Sequence, residues 1–312
     1  PRLDELAGLP KHEKIIPAHL EFVDIAGLVK GAHKGEGLGN QFLSHIRDVA
    51  ALVHVVRCFT DSNVAHVSPE LHPLDDIDII HTELLLADLA MAEKHLSGLK
   101  KSREKADLHK AALLETLLPP LQAGKMLRSL DLDAESRRTV FQLGLLTVRR
   151  ELYVANLGES ADTAQEMLAR QIEERARAEG VPCVRVFGRM EAELNDLDES
   201  DRAVFMKDLG IAEPSTVRVI HAGFRLLRLI TFFTTENNIL QAWPLEEGRT
   251  APEAAGTIHS DMQHGFISAD VISVADLKRT GSMANARTHG CLRQEGKHYV
   301  VRDGDVCRFH FG

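Results

Sequence analysis

The stretch Phe22-Val-Asp-Ile-Ala-Gly-Leu-Val-Lys-Gly-Ala-His-Lys-Gly-Glu-Gly-Leu-Gly-Asn-Gln-Phe-Leu43 decides the fold. Residues 19–24, just ahead of and into it, predict a strand ending on an acid, Asp24. Asp24-Ile-Ala-Gly27 then places a carboxylate at the strand's C-terminal end with a glycine shortly after it. In a P-loop nucleotidase such an Asp holds Mg²⁺ through water, and the glycine amide approaches a γ-phosphate with no Cβ in the way. The glycine-rich run that follows suits a switch ordered by that phosphate. Four-residue patterns recur by chance, and a plain strand-to-loop turn would also fit D-x-x-G, so the pattern needs its surroundings.

Outward from this stretch, Asn40 to Asp48 has room for a short helix, and Ala50-Ala-Leu-Val-His-Val-Val-Arg-Cys-Phe59 is a buried-strand run. Leu152–Asn156 and Val181–Phe187 predict two more strands, separated by a helix over 161–180 that ends on Gly180. Strand, loop, helix, strand is a βαβ rhythm and implies a parallel sheet. Between these halves, Ile77, Ile80, Leu84, Ala87 and Met91 step by three and four residues, the seam of a helix on a partner helix. A second helical run, His109–Leu118, should stop at Pro119-Pro120. The turn between them carries Lys94, Lys100, Lys101, Arg103, Lys105 and Lys110 against Glu104 and Asp107. From Leu229 onward, short alternating runs and one helix at Ala251–Ile258 predict a small α+β domain.

Composition excludes several classes. The 312 residues are 44% hydrophobic and 27% charged, which rules out whole-chain disorder. No apolar run nears the roughly 18 residues that cross a bilayer. A net charge of −9 argues against a nucleic-acid binder basic over its whole surface, though not against a local patch. Cys58, Cys183, Cys291 and Cys307 lack C-x-x-C spacing and predict reduced thiols in a cytoplasm-like compartment. Gly35-Glu-Gly-Leu-Gly39 does not match G-x-G-x-x-G, and no Gly-Lys-Ser/Thr occurs anywhere. The sixteen histidines show no H-E-x-x-H, and no G-x-S-x-G elbow exists.

The quoted stretch resembles switch II of the YchF family, the Obg-like ATPases within the translation-factor class of P-loop GTPases. The similarity continues through His54-Val-Val-Arg-Cys-Phe59, Pro73-Leu-Asp-Asp-Ile-Asp78, Tyr153-Val-Ala-Asn156 and Asp208-Leu-Gly-Ile-Ala-Glu-Pro214. It runs on through Arg218-Val-Ile-His-Ala-Gly-Phe224, residues 251–261, Gly265-Phe-Ile267 and Asp303-Gly-Asp-Val306, and so covers essentially the whole chain. The resemblance implies an α/β P-loop nucleotidase domain with a mostly parallel sheet over 1–75 and 148–228. It implies an inserted helical hairpin over 76–147 and a C-terminal α+β TGS (β-grasp) domain over 229–312. The family's first strand, Walker A loop and switch I have no counterpart here. These residues by themselves are therefore expected neither to bind nucleotide tightly nor to hydrolyse it.

Residue by residue, the resemblance makes Asp24 the Mg²⁺-side acid and puts Ala26 and Gly27 at the γ-phosphate. Leu28 falls where many relatives of the class carry the Gln that orients the attacking water. An apolar residue cannot do that, so His66, and after it His33, are the candidates for positioning water. Asn156-Leu-Gly-Glu159 stands where the guanine-specifying Asn-Lys-x-Asp normally sits. Leu157 replaces the Lys and Glu159 the Asp, so guanine preference should relax and ATP be favoured over GTP. Phe187 and Gly188, followed by Arg189, fall at the base-contacting loop, where the sequence departs from the family's small residues. Lys100, Lys101, Arg103 and Lys105 are candidate contacts to ribosomal RNA. The expectation is a cytoplasmic ATP- or GTP-hydrolysing switch that binds the ribosome through hairpin and TGS domain, needs Mg²⁺, and touches neither membrane nor specific DNA. The rival is a nucleotide-free RNA- or protein-binding fragment on the same scaffold.

Overall fold

A computed structural model describes residues 2–9, 12–25, 38–61, 71–159, 162–208, 211–236 and 238–312. In chain order it shows α1 (Arg2–Ala7), β1 (Lys14–Ile16), α2 (Leu38–Asp48), β2 (Ala51–Arg57), α3 (Pro73–Leu99), α4 (Lys105–Gln122) and a 3₁₀ turn at Leu127–Ser129. Then follow α5 (Ala134–Gln142), β3 (Arg150–Asn156), α6 (Thr163–Glu179), β4 (Cys183–Val186), α7 (Gly188–Asn195), α8 (Glu199–Asp208) and α9 (Ser215–Leu226). The C-terminal part holds β5 (Leu229–Glu236), β6 (Ile239–Glu246), α10 (Ala251–Ile258), α11 (Ser260–His264), β7 (Phe266–Ser273), α12 (Val274–Thr280), α13 (Met283–Thr288), β8 (Arg293–Glu295) and β9 (Asp305–Phe311). The chain divides into two compact units, residues 22–226 and residues 1–21 with 227–312.

In the 22–226 unit, β2, β3 and β4 form a parallel sheet in that order. Strand alternation sends Tyr153 and Ala155 to a core with Ile77 of α3 and Ala169, Ile172 and Ala176 of α6. Leu152 and Val154 go to the other face, under Ala222 of α9. β2 is the outer strand, and its Val55 is 61% exposed. The strand expected over 19–24 does not form. Residues 17–25 are irregular, with Phe22 and Val23 half exposed, and pair with no described strand.

The seam Ile77, Ile80, Leu84, Ala87 and Met91 does meet partner helices, Ile77 packing with α6 and the sheet, Ile80, Leu84 and Ala87 with α2, and Met91 at the α3–α4 contact. The α3–α4 contact lies on another face, through Ala92, Leu96, Ala111, Leu114, Leu117 and Leu121. α4 does not stop at Pro119-Pro120 but runs on to Gln122. A proline removes one donor and crowds the preceding turn, at a cost of about 3 kcal/mol. Burial of Leu117 and Leu121 on either side of the pair offsets it.

The other unit holds a six-stranded mixed sheet in the order β1-β6-β5-β9-β7-β8. Adjacent residues Phe232 and Phe233 serve opposite cores, one under α10 and α11, the other with α1, α12 and α13. Residues 2–21, read from the sequence as part of the nucleotidase domain, join this unit. Leu6 of α1 is fully buried in its core, and Lys14–Ile16 pair parallel to β6. Among the described residues the α+β region carries four helices and not one, and Val300 forms an isolated bridge to Thr250. Trp243 is half-buried, stacked 6.5 Å from Phe232, with Nε1 donating to Thr234 Oγ1 at 3.0 Å.

Candidate functional site

In a parallel sheet, loops leaving the C-terminal strand ends form a natural ligand crevice. Here β2 and β3 end side by side, with the Cys58 N–H donating to the Asn156 carbonyl at 2.8 Å. A pocket of about 240 Å³ opens there, lined by Phe59, Thr60, Asp61, Asn156, Leu157, Gly158, Glu159, Gln165 and Arg189. That is below the ~300–1,000 Å³ of pockets that take a whole ligand, and suits one ring system with part of a sugar.

Local contacts fix each wall. Asn156 Oδ1 accepts from the Gly188 N–H at 3.2 Å, which orients the amide and leaves its Nδ2 donors for a ligand. A Cβ at Gly188 would lie 3.1 Å from Asn156 Oδ1, a tight contact that would make the amide shift by a few tenths of an ångström. Gln165 Oε1 accepts from the Gly158 N–H at 2.8 Å, and Asp162 caps α6 by accepting from the Gln165 N–H at 2.8 Å. On the opposite wall the Arg57 guanidinium lies 4.7 Å from the Phe59 ring centroid. Arg57 also donates to the Phe59 carbonyl at 2.8 Å and the Asp61 carbonyl at 3.1 Å. Glu159 accepts from Arg189 Nε at 2.7 Å across the mouth. Cys58, fully buried beside the pocket, has its thiol pushed up to about 12 by burial and stays a neutral packing group.

The structure thus brings Asn156, Leu157 and Glu159 together in one pocket, with Gly188 bonded to it. Phe187 does not line it and instead packs in the core between sheet and α6. Asp24 is exposed at the end of the irregular 17–25 segment and is not among the lining residues. Ala26, Gly27, Leu28, His33 and His66 lie outside the described residues. Phe59, Thr60, Asp61 and Gln165 are lining residues that sequence reading missed, and Arg189, named from the sequence with Phe187 and Gly188, lines the pocket too. Gln165 alone carried a signal, as the third residue after a helix-capping Asp.

A second polar group lies between β2, β3, α3 and the 3₁₀ turn. Among the described residues, His54, His81 and Glu151 bring metal-ligand atoms within 4.8 Å of one another. They are far apart in sequence, so no spacing motif could reveal them. The cation position is taken by Arg128, whose guanidinium bonds Glu151 and reaches His81 Nε2 at 3.1 Å. Burial pushes the Glu151 carboxyl up, but hydrogen bonds from His54 and His81 and the Arg128 charge outweigh it and hold it well below the carboxylate range. Tyr153 Oη donates to Glu179 at 2.7 Å and closes the group. These bonds tie α3 and the 3₁₀ turn to β3, the strand that ends on Asn156.

The basic turn between α3 and α4 presents Lys100, Lys101, Arg103 and Lys105, all exposed. Lys100 is engaged with Glu115 at 2.9 Å.

A parallel sheet with a base-sized pocket at its strand ends, a D-x-x-G stretch and a separate mixed-sheet unit define a nucleotidase of the P-loop GTPase class. The C-terminal family of YchF GTPases, described as of unknown function, matches residues 229–312, and a 50S ribosome-binding GTPase family matches residues 9–89. The chain is 45% identical over its full length to a ribosome-binding ATPase YchF of Escherichia coli O157:H7, covering 86% of that protein. It is 42% identical to the one from Bacillus subtilis, over 99% of this chain and 86% of the relative. The solved Schizosaccharomyces pombe YchF GTPase superposes with a TM-score of 0.83 at 31% identity, over 99% of this chain and 85% of that one. The chain belongs to the YchF family.

Proposed function

We propose that the protein is a cytoplasmic, ribosome-associated switch that takes ATP in preference to GTP, with its base in the pocket at the ends of β2 and β3. The observation that carries this is the Asn156–Gly188 contact, which leaves an amide donor facing a ring-sized cavity whose family relatives are named ATPases. Glu159, the longer carboxylate in place of the guanine-gripping Asp, is drawn to Arg189 and away from a guanine edge.

Asp24 is an exposed oxygen donor of the type Mg²⁺ takes, and would hold it. When bound, Mg²⁺ supplies neutralisation of the phosphate charge. In the same proposal Ala26 and Gly27 contact the γ-phosphate, Leu28 excludes water, and His66, with His33 as the second candidate, orients the attacking water. These 312 residues contain no G-x-x-x-x-G-K-S/T, so the phosphates are held weakly by them alone. Lys100, Lys101, Arg103 and Lys105 face ribosomal RNA, with the mixed-sheet unit as the second contact. Replacing those four by Glu should weaken co-sedimentation with ribosomes in a salt-dependent way. Unchanged sedimentation would remove the turn from the interface. For the nucleotide, competition between ATP and GTP should favour ATP; equal competition would refute the preference.

A further inference from the structure

β4 is the outer strand of its sheet on the side away from β2. Its pairing with β3 spends the backbone groups of Pro182, Val184 and Val186, so Cys183 and Arg185 turn their N–H and C=O outward. Along this edge runs a groove of about 720 Å³ between β4 and α9, with Pro182, Val184, Ala222 and Leu226 as its apolar lining. Open strand edges are normally covered or blunted. Among the described residues, a side chain bonds this edge at Arg218, whose NH2 donates to the Arg185 carbonyl at 3.2 Å.

The charges in the groove do not cancel. Arg185 is matched by Glu166 at 2.8 Å and Glu173 at 2.6 Å. Glu213 faces His221 at 3.7 Å. Arg218 and Arg225, the other two cations of the lining, have no carboxylate partner among the described residues. Arg218 is held rigidly: its NH2 also donates to Ser215 Oγ at 3.0 Å, and Ser215 is bonded to buried Glu191. Its Nε is buried without a hydrogen-bond partner among the described residues.

We propose that this groove is a docking site for an extended acidic peptide segment of a partner protein, which adds a strand to β4 and sets carboxylates on Arg218 and Arg225. An outward-facing strand edge recognises a peptide backbone, the apolar floor takes alternate side chains, and the unmatched arginines select acidic ones. A phosphate backbone would satisfy the arginines but leave the strand edge unpaired, so peptide is favoured over nucleic acid. The site is separate from the base pocket and does not depend on what that pocket binds.

The test uses fluorescence anisotropy on the full chain with a synthetic eight-residue peptide of alternating valine and aspartate. Saturable binding is expected, at least tenfold weaker for Arg225→Glu, for the Arg218→Glu/Arg225→Glu pair, and for a peptide N-methylated at alternate amides. Arg225 is exposed, so its single variant keeps the test valid if the double variant misfolds. Four results would each overturn the proposal. They are no saturable binding, equal binding of a valine–lysine peptide, tighter binding of an oligouridylate that the same variants abolish, and self-association in sedimentation velocity that Arg225→Glu removes.

Discussion

Replacing Asp88 by Asn should destabilise the protein at pH 5 and much less so at pH 7. Asp88 of α3 is 1% exposed. Its Oδ1 accepts from the Leu146 N–H at 2.6 Å, and its Oδ2 accepts from the Thr147 N–H at 2.8 Å and Thr147 Oγ1 at 2.6 Å. Burial raises its pKa to about 6 from 3.8, against the pull of those three bonds. The folded state therefore holds the proton more tightly than the unfolded chain. The stabilisation is full below pH 3.8 and is lost as pH rises through 6. A gap of about two pH units at 1.36 kcal/mol each makes the loss about 3 kcal/mol at neutral pH, of which about 1 kcal/mol falls between pH 5 and pH 7. Asn removes this titration but turns an amide N–H₂ toward the Leu146 N–H if its oxygen keeps Thr147, at about 1–3 kcal/mol. Urea unfolding of both proteins at the two pH values checks it, since contributions common to both cancel in the difference. The gap between variant and wild type should shrink by about 1 kcal/mol from pH 5 to pH 7. A gap independent of pH would refute the idea that burial governs Asp88.

Arg128→Met should cost about 3–5 kcal/mol in urea unfolding, because Glu151 stays buried without its guanidinium partner. Gly188→Val should weaken adenosine binding in equilibrium dialysis, because even the first carbon added lands 3.1 Å from Asn156 Oδ1, while the melting temperature moves by only a few degrees. Cys58, with its thiol at about 12, should resist iodoacetamide at pH 8 in the native protein and react once urea is added, as read by mass spectrometry.

Much of the 22–226 unit was legible because its strands are continuous apolar runs between glycine turns and its helices carry caps. Gly180 ends α6 in the left-handed conformation at φ 67°, as its place in the sequence predicts. The failures share one cause, which is that tertiary partners decide local outcomes. Residues 19–24 have strand composition but pair with no described strand. Pro119-Pro120 reads as a stop, yet α4 continues because the leucines around it are buried. Residues 2–21 look like a lead-in to D-x-x-G, but Leu6 finds its core in the mixed-sheet unit. In the pocket, Asn156 and Glu159 were legible from a tetrapeptide at a strand end. The Arg189–Glu159 pair and the His54–His81–Glu151–Arg128 group were not, since each joins residues that only the fold makes neighbours.

The most direct test of the nucleotide reading is amide chemical-shift mapping of the labelled protein during titration with ATP and Mg²⁺. Saturable shifts should centre on Asn156, Gly158 and Gly188, should be lost in Asn156→Ala, and should persist against an equal concentration of GTP. Saturable ATP binding that leaves those three amides unmoved would contradict the assignment of the pocket at the ends of β2 and β3.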